Sequence, residues 1–267
     1  MKTAVLLIGF NRPDTTEKVL NAIAAARPPR LYFAVDGPRS PEESNLVQDV
    51  QHLARLVDWP CEVKTLFREK NLGCKRAVGE AITWFFENEE MGIVLEDDCL
   101  PHPDFFRFCE ELLERYKDEP RVWMISGNNF QRGIKRGDAS YFFSKYNHIW
   151  GWASWRRAWL KYDPEISFLD KWLPPNSAPI GFLDRKEASY WRERFLECRD
   201  GVVSSWAYAW TACIWYHGGL SVYPNVNLVS NIGFDERART AKIQSPQTGS
   251  HSENSLKYTG CHDHGGA

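Results

Sequence analysis

The stretch MGIVLEDDCLPHPD at residues 91–104 joins a short apolar run to three consecutive acids and two prolines. The uncharged run at residues 92–95 predicts a buried strand of a parallel sheet, because it is too short for a typical helix and ends abruptly in polar residues. Glu96, Asp97 and Asp98 follow at the carboxyl end of this strand. Adjacent carboxylates repel one another and resist burial, so the cluster indicates a compensating cation or a set of hydroxyl and amide donors.

A plainer interpretation of the three acids is that they cap the following helix or face water, as acidic side chains usually do. The next helix, however, has its own start signal in Pro103 and Asp104. Ligands of open α/β sheets bind just outside the carboxyl ends of the strands. The position of the acids therefore favours a binding site.

Apolar runs alternate with amphipathic stretches over the first half of the chain. We predict strands at residues 4–10, 31–35, 61–67, 92–95 and 122–126, and helices at 14–26, 42–56, 74–87 and 104–117. This alternation predicts right-handed βαβ units and a mostly parallel sheet covered by helices on both faces. Tryptophans become frequent after residue 127, and there we predict helices at 152–161, 187–199 and 206–217.

We predict one domain over residues 1–240, because no linker rich in Pro, Gly or Ser separates its halves at 1–127 and 128–240. Residues 241–267 are polar and are predicted to form a flexible tail. The Cys-His-Asp-His sequence in that tail is a weaker candidate for a metal site.

The composition excludes several classes of protein. With 33 Lys and Arg against 35 Asp and Glu, the chain lacks the basic balance of a nucleic-acid binder. The apolar run at residues 4–10 is too short to span a bilayer, and a lone Lys2 without a cleavage pattern does not make a signal peptide. Seven scattered cysteines without a CxxC pair predict neither disulfides nor a zinc site. We therefore expect a cytoplasmic protein without a transmembrane segment.

Polar residues follow each of the first four predicted strands, and the carboxyl ends of strands in a doubly wound sheet converge on one crevice. The four segments are residues 11–12, 36–37, 68–73 and 96–98. No GxGxxG follows the first strand and no GxxxxGK occurs, which argues against a dinucleotide-dependent or P-loop enzyme.

Four segments in this order resemble the GT-A nucleotide-sugar glycosyltransferases: IGFNRP (8–13), AVDGP (34–38), REKNLGCKRAV (68–78) and VLEDDCLPHPDFF (94–106). The enzymes that these segments resemble are inverting and belong to the family-2-like group of glycosyltransferases. The EDD element is similar to that of N-acetylglucosaminyltransferases acting on protein-linked glycans. YFFSKYNHIWGWASWRRAW (141–159) and LSVYPNVNLVSNIGF (220–234) resemble bacterial members. The resemblance implies a Rossmann-like, three-layer α/β sandwich with a tryptophan-rich acceptor-side half.

The resemblance also implies an activity. A sugar would pass, with inversion, from a nucleoside diphosphate bound by residues 1–127 to a hydroxyl acceptor bound by residues 128–240. The acceptor would be a glycan, a lipid-linked or another hydroxyl compound in glycan or polysaccharide synthesis. Mn²⁺ or Mg²⁺ would neutralise the charge that develops on the diphosphate, and Asp98 is the expected metal ligand.

The resemblance assigns further residues to the donor. Asp36 is expected to accept from the imino N–H of a uracil or thymine base, which favours UDP or dTDP, although a turn aspartate before Gly37 is the alternative. Arg76 can pair with the diphosphate, or can lie on a solvated helix face. The remaining donor-side candidates are Asn11, Arg12, Arg68, Asn71, Gly73, Glu96 and Asp97.

On the acceptor side, a Trp-Gly-Trp turn cannot easily bury both of its indoles, which leaves one free to stack on a sugar. A structural role is the alternative for His148. The acceptor-side candidates are Asn128, Asn129, His148, Trp150, Gly151 and Trp152.

Inverting transfer requires a general base for the acceptor hydroxyl. Where the resemblance leads us to expect Trp-Asp-Tyr, the chain has Ala207 between its Trp and Tyr, and no histidine motif follows Gly233. Candidates for the base are Asp235 and Glu236, and Asp163 and Asp170 are further candidates. A solvated surface role is the alternative for each.

The missing acid keeps other functions open. The chain could be a nucleotide-sugar-binding protein without catalysis, or a nucleotidyltransferase, which releases pyrophosphate. A glycoside hydrolase is disfavoured, because it needs two carboxyl groups facing each other across about 5–9.5 Å, whereas the acids here are contiguous.

Overall fold

Eight strands form one sheet in the computed structural model, which describes residues 1–179 and 181–234. Two more strands form a separate ribbon. The strands are β1 Ala4–Gly9, β2 Arg30–Val35, β3 Glu62–Phe67, β4 Met91–Glu96, β5 Cys99–Pro101, β6 Val122–Ser126, β7 Tyr141–Ser144, β8 Trp152–Trp155, β9 Leu220–Pro224 and β10 Val229–Asn231.

Helices connect most of these strands. They are α1 Pro13–Ala26, α2 Ser44–His52, α3 Cys74–Asn88, α4 Pro103–Arg115, α5 Arg156–Trp159, α6 Leu169–Trp172, α7 Arg185–Arg199 and α8 Trp206–Tyr216. Short 3₁₀ helices at Pro41–Glu43 and Leu53–Leu56 flank α2. None of the described helices is long and apolar enough to cross a membrane.

The sheet has the order β3-β2-β1-β4-β8-β6-β9-β7. β8 is antiparallel to β4 and β6, and β7 is antiparallel to β9, while the other pairs are parallel. The remaining strands therefore all run in one direction, as predicted. The ribbon of β5 and β10 lies outside this sheet.

Helices cover both faces of the sheet. Leu7 of β1 belongs to an apolar cluster with residues of α1, α2 and α4, including Ile23. Leu6, one position earlier on the same strand, belongs to a second cluster with residues of α3, α5 and α8, including Ile82. Because successive strand side chains point to opposite faces, this division confirms the predicted three-layer α/β sandwich.

A third apolar cluster joins α6, α7 and α8 beside the sandwich. Trp210 of α8 packs towards the sheet, whereas Ala209 and Ala212 pack against α7 residues such as Phe195. Burial on two sides explains why α8 is apolar around most of its circumference. The tryptophan-rich half thus adds strands to the sheet and a helical layer outside it.

The predicted helix at residues 152–161 is wrong. Trp152–Trp155 is strand β8, inserted antiparallel between β4 and β6, and α5 occupies only Arg156–Trp159. All four β8 residues are buried. A strand buried on both faces lacks the alternation of apolar and polar residues that identifies a half-exposed strand in a sequence, which is why β8 was missed. The four strands β5, β7, β9 and β10 were likewise not predicted.

The other predicted helices are confirmed within a few residues, although 3₁₀ turns break the stretch predicted at 42–56. The predicted tail at residues 241–267 lies outside the described residues, as do Asp235 and Glu236.

Candidate functional site

The order of the central strands defines a crevice between β1 and β4. After β1 the chain adds β2 and β3 on one side, then returns to place β4 on the other side. The strand order reverses at this point, and open α/β sheets bind ligands outside the carboxyl ends of the strands at such a reversal. Residues 10–12 follow β1, and Asp97 and Asp98 follow Glu96, the last residue of β4, so these two segments line the crevice.

Two contacts join the segments across the crevice. The backbone N–H of Phe10 donates to the Asp97 carboxylate at 3.2 Å. The Arg12 guanidinium lies 3.4 Å from the Asp98 carboxylate, and each of these side chains is 25% exposed. The structure thus brings together Arg12, Asp97 and Asp98 from the predicted donor-side set, with the charged pair still open to solvent.

Burial and mutual repulsion change the protonation of the acids. Burial, followed by the charges of Asp98 and Asp97, raises the pKa of Glu96 to about 8. Burial and Asp98 raise the pKa of Asp97 to about 7, although Arg12 opposes this shift. A cation in the crevice would relieve this accumulated negative field.

The acids fit a cation that is shared with a ligand better than a closed protein cage. Among residues 1–179 and 181–234, no group of three or more His, Cys, Asp or Glu side chains could hold a metal ion. Mg²⁺ is usually bound through one or two carboxylates together with substrate phosphates and water. The partly exposed Asp98 carboxylate is a suitable single ligand of this kind.

The ribbon of β5 and β10 closes one side of the crevice. The N–H of Ile232 donates to the Asp98 carbonyl at 2.8 Å. A Cβ atom added to Gly233 would lie only 2.8 Å from Nη1 of Arg12, so a larger residue would disturb the Arg12–Asp98 pair. Sequence reasoning missed Gly233, because no local pattern shows that it meets residues more than a hundred positions away.

Asp36 organises the wall next to this crevice. Its carboxylate, in a residue 8% exposed, accepts from the Asn71 amide at 2.9 Å, from the Leu72 N–H at 3.1 Å and from the Gly73 N–H at 3.2 Å. These bonds fix the loop before α3 against the end of β2. The geometry matches the interpretation of Asp36 as a turn residue, and its contact with a base remains a prediction.

Gly73 has φ +77°, and an added Cβ would meet no atom within 4 Å, so space is open in front of it. The structure does not bring the two arginines of this wall to that space. Arg68 and Arg76 both bond Glu80 of α3, at 3.0 and 2.6 Å, and the Arg76 side chain is 68% exposed. Arg76 therefore has the geometry of the solvated helix face. Asn11 is also turned aside, donating to Glu43 at 3.0 Å.

The Trp-Gly-Trp turn buries one indole and leaves the other accessible. Gly151 has φ +61°, and its carbonyl accepts from the Gly127 N–H at 2.7 Å. Trp152 is fully buried beside α8, whereas Trp150 packs against the cluster on the opposite face. The left-handed glycine between them accounts for this reversal. Of the two indoles, only that of Trp150 is accessible, so it is the one that remains a candidate for stacking on a sugar.

We call Phe130, Trp150 and Phe234 the aromatic rim. The Trp150 ring centroid lies 4.9 Å from that of Phe130 and 5.6 Å from that of Phe234, and the two phenylalanines are 49% and 65% exposed. Phe234 directly follows Gly233, so the rim adjoins the Arg12–Asp98 pair. A ligand in the crevice would therefore meet aromatic faces on this side.

His148 lies behind the rim, with its ring 4.8 Å from Phe130 and 5.4 Å from Tyr223. Burial lowers the pKa of His148 to about 4, which keeps the imidazole neutral at neutral pH. Its backbone carbonyl accepts from the Ser126 hydroxyl at 3.0 Å. These contacts match the structural alternative for His148.

The two asparagines after β6 differ in their surroundings. Asn129 donates to the Pro224 carbonyl and accepts from the Gln131 N–H, both at 2.6 Å, and so shapes its own loop. Asn128 is fully buried, and neither polar atom of its side chain has a hydrogen-bond partner among the described residues. It is the more unusual of the two, because buried amides are normally paired.

The described residues leave the general base unassigned. Ala207 lies in the first turn of α8, which contains no acid. Asp163 accepts from the Ser167 N–H at 2.7 Å, and Asp170 pairs with Arg192 and Arg199, each at 2.8 Å. These two acids thus have structural partners.

A shallow cavity of about 310 Å³ lies between residues 173–177 and α7, outside the acidic crevice.

No protein-family model and no curated protein matches the sequence. Among solved structures, the chain is similar to a galactosyltransferase, LgtC, bound to donor and acceptor sugar analogues (10% identity, 82% of this chain, 72% of that chain, TM-score 0.41). It is also similar to an apo UDP-glucose pyrophosphorylase (10% identity, 91% of this chain, 99% of that chain, TM-score 0.43). A third similar structure is HddC from Yersinia pseudotuberculosis (12% identity, 47% of this chain, 58% of that chain, TM-score 0.33). The chain spans less than two thirds of the length of HddC. The fold assignment rests on the strand order and layers described above.

Proposed function

We propose that this protein is a glycosyltransferase that moves a sugar from a nucleoside diphosphate to a hydroxyl acceptor. The observation that carries the proposal is the crevice at the strand-order reversal, where Arg12 and Asp98 face each other from the ends of β1 and β4. A site with a cationic guanidinium beside a partly exposed carboxylate offers both groups that a metal-bound diphosphate needs. The sequence resemblance to GT-A enzymes supports the same activity.

On the donor side, Asp98 would hold Mn²⁺ or Mg²⁺, which supplies charge neutralisation for the leaving diphosphate. Arg12, released from Asp98, would pair with a phosphate oxygen. Glu96 and Asp97 would accept from hydroxyls of the ribose or donor sugar, and Asp36 and Asn71 would shape the base pocket. UDP and dTDP are the favoured nucleotides.

On the acceptor side, Trp150 would stack on a sugar ring at the rim, since aromatic faces pack well against the apolar face of a pyranose. Transfer would invert the anomeric centre, with Asp235 or Glu236 as the base. The acceptor would be a growing glycan or polysaccharide, free or lipid-linked, presented in the cytoplasm.

A thermal-shift screen of nucleoside diphosphate sugars, with and without Mn²⁺, tests the donor assignment. A ligand at 100 times its Kd stabilises the folded state by about 2.7 kcal/mol, so a bound donor should raise Tm. UDP- or dTDP-sugars are expected to do this in the presence of Mn²⁺ and to raise Tm only weakly without it. Asp98→Asn should lose the Mn²⁺-dependent part. Asp118→Asn, which changes an exposed acid after α4, should retain it.

Absence of any shift with all sugar nucleotides would overturn the proposal. A Mn²⁺ response that persists in Asp98→Asn, or transfer that is unchanged in excess EDTA, would overturn the metal role of Asp98 alone.

The second candidate is a nucleotide-sugar-binding protein without transfer activity, and Ala207 at the start of α8 favours it. Donor binding by calorimetry, with neither transfer nor donor hydrolysis over a broad acceptor panel, would support this alternative. Release of pyrophosphate from a nucleoside triphosphate and a sugar phosphate would instead indicate a nucleotidyltransferase.

A further inference from the structure

The Asp98 carboxylate has two side-chain contacts, and both are weak. The Arg12 guanidinium lies 3.4 Å from Oδ2, and the Cys99 thiol donates to Oδ1 at 3.4 Å. A charge-assisted hydrogen bond is normally about 2.7–2.9 Å long, and a thiol is a weak donor. These contacts alone therefore hold the carboxylate only loosely.

The end of β10 packs over this carboxylate. β10 pairs antiparallel with β5, and Asn231 lies opposite Cys99. Just beyond β10, the Ile232 N–H donates to the Asp98 carbonyl at 2.8 Å. The next residue, Gly233, lies so close that an added Cβ atom would overlap the Asp98 carboxylate. The segment after β10 thus contacts both the backbone and the side chain of Asp98.

The backbone conformation of Gly233 does not require a glycine. Its φ lies outside the left-handed region, where side chains other than hydrogen are strained. The close approach to Asp98 is what leaves no room for a Cβ atom. Gly233 therefore serves the contact with Asp98 and not the shape of its own turn.

The Asn231 side chain determines where Gly233 lies. Its Oδ1 accepts from the Gly233 N–H at 2.8 Å. An asparagine that bonds the backbone two residues further on forms a compact turn. This turn directs the chain back over Asp98 and leads to Phe234, whose ring lies 5.6 Å from that of Trp150 in the aromatic rim.

We propose that Asn231 is a positioning residue for the cation site, acting through Gly233 on the Asp98 carboxylate. The turn keeps Gly233 against the carboxylate, which limits its rotation and keeps it directed into the crevice. Without the turn, the carboxylate could close on Arg12, and that ion pair would compete with Mn²⁺ or Mg²⁺ for the same oxygen. The inference rests on the proposed function, because it takes Asp98 as the metal ligand.

Calorimetric titration of the full chain with UDP, in excess Mn²⁺ and in EDTA, tests the inference. In excess Mn²⁺, Asn231→Ala should raise the Kd of UDP about tenfold, a scale typical of residues that orient a metal ligand. In EDTA, the same substitution should leave the weaker binding unchanged. Gly233→Ala should also raise the Kd in Mn²⁺, because the added methyl group displaces the carboxylate.

A conservative variant separates the turn from the bulk of the side chain. The serine hydroxyl of Asn231→Ser can form the same kind of turn, although more weakly. Asn231→Ser should therefore restore most of the Mn²⁺-dependent affinity that Asn231→Ala loses, without adding a charge near the cation.

Asn227→Ala is the matched control. Asn227 precedes β10, accepts from the Asn129 N–H at 2.8 Å and donates to the Val229 carbonyl at 2.9 Å. Its substitution removes two hydrogen bonds at the end of β10 that is remote from Asp98. This variant should bind UDP as the wild type does in both solutions, and circular dichroism verifies that every variant is folded.

Three results would overturn the inference alone: an unchanged Kd for Asn231→Ala in Mn²⁺, no recovery in Asn231→Ser, or an equal loss in Asn227→Ala. Wild-type protein that binds UDP more tightly in Mn²⁺, with Asp98→Asn losing this gain, would still support the proposed function in each of these cases. Wild-type binding that does not respond to Mn²⁺ would instead overturn the metal role of Asp98, and the inference with it.

Discussion

At the scale of single residues, Asn128 is the clearest departure from normal packing. It is fully buried just after β6, and its amide has no hydrogen-bond partner among the described residues. Leaving a buried polar group unpaired costs about 1–3 kcal/mol. In the sequence it lies two residues before Phe130 of the aromatic rim. Asn128 therefore combines a cost to stability with a position close to the rim in the chain, a pattern typical of functional sites.

We predict that Asn128→Leu stabilises the protein by about 1–2 kcal/mol, because it removes the unpaired amide at similar side-chain volume. Urea denaturation measures the change in the free energy of unfolding. Asn225→Leu is the control: Asn225 is also buried but bonds Arg136 and Ala139, so its loss should destabilise by about 2 kcal/mol. Destabilisation by Asn128→Leu would show that the amide has a partner, such as a buried water.

At the scale of elements, the crevice depends on how closely the end of β6 approaches the turn before β8. A Cβ added to Gly127 would lie 2.5 Å from the Phe105 ring and 2.8 Å from the Gly151 carbonyl. Phe105 cannot move freely, because it is packed in the interface between α4 and the sheet. The Gly151 carbonyl is held by the hydrogen bond that it accepts from the Gly127 N–H. The two glycines thus allow β8 to enter the sheet next to β4.

We predict that Gly127→Ala lowers the free energy of unfolding by at least about 3 kcal/mol, since it overpacks this interface. Gly137→Ala provides the comparison, because Gly137 has φ +65° but open space around it, and backbone strain alone should cost about 1–2 kcal/mol. Chemical denaturation of both variants measures the difference. Equal effects would mean that conformation, and not close approach, determines the cost at Gly127.

At the scale of the whole molecule, Lys145 links the sheet to the outer helices. It follows β7, and its ammonium lies 2.8 Å from the Glu187 carboxylate of α7. The same ammonium lies 4.9–5.2 Å from the rings of Tyr146, Phe182 and Trp215. A cation surrounded by aromatic faces and one partly buried acid joins α7 and α8 to the sandwich.

We predict that Lys145→Met destabilises the protein by about 3 kcal/mol, because it leaves the Glu187 carboxylate buried without a cation. The double variant with Glu187→Gln should recover at least half of this loss, since the amide still accepts from Tyr146 and carries no charge. Thermal and urea unfolding of the single and double variants form the test. A double variant no more stable than Lys145→Met would show that the aromatic contacts, and not the buried charge, dominate.

The sequence by itself determined the parts of this protein that depend on local pattern. Apolar periodicity located β1 to β4, β6 and their helices, and it placed polar residues at the strand ends, including Arg12, Asp97 and Asp98. Parallel strands bring such ends to one edge of a sheet, so the crevice could be predicted as well. These features follow from the backbone geometry of short segments.

Only the tertiary structure decided the contacts between distant segments. It inserted β8 antiparallel between β4 and β6, buried Trp152 while leaving Trp150 accessible, placed Gly233 on the Arg12–Asp98 pair, and paired Arg76 with Glu80. Strand pairing and burial of this kind depend on packing partners that are far away in the chain. A short apolar run such as residues 152–155 therefore fits a helix and a buried strand equally well when only the sequence is known. The physical reason is that local propensity is weak compared with the free energy gained when a whole apolar surface is covered.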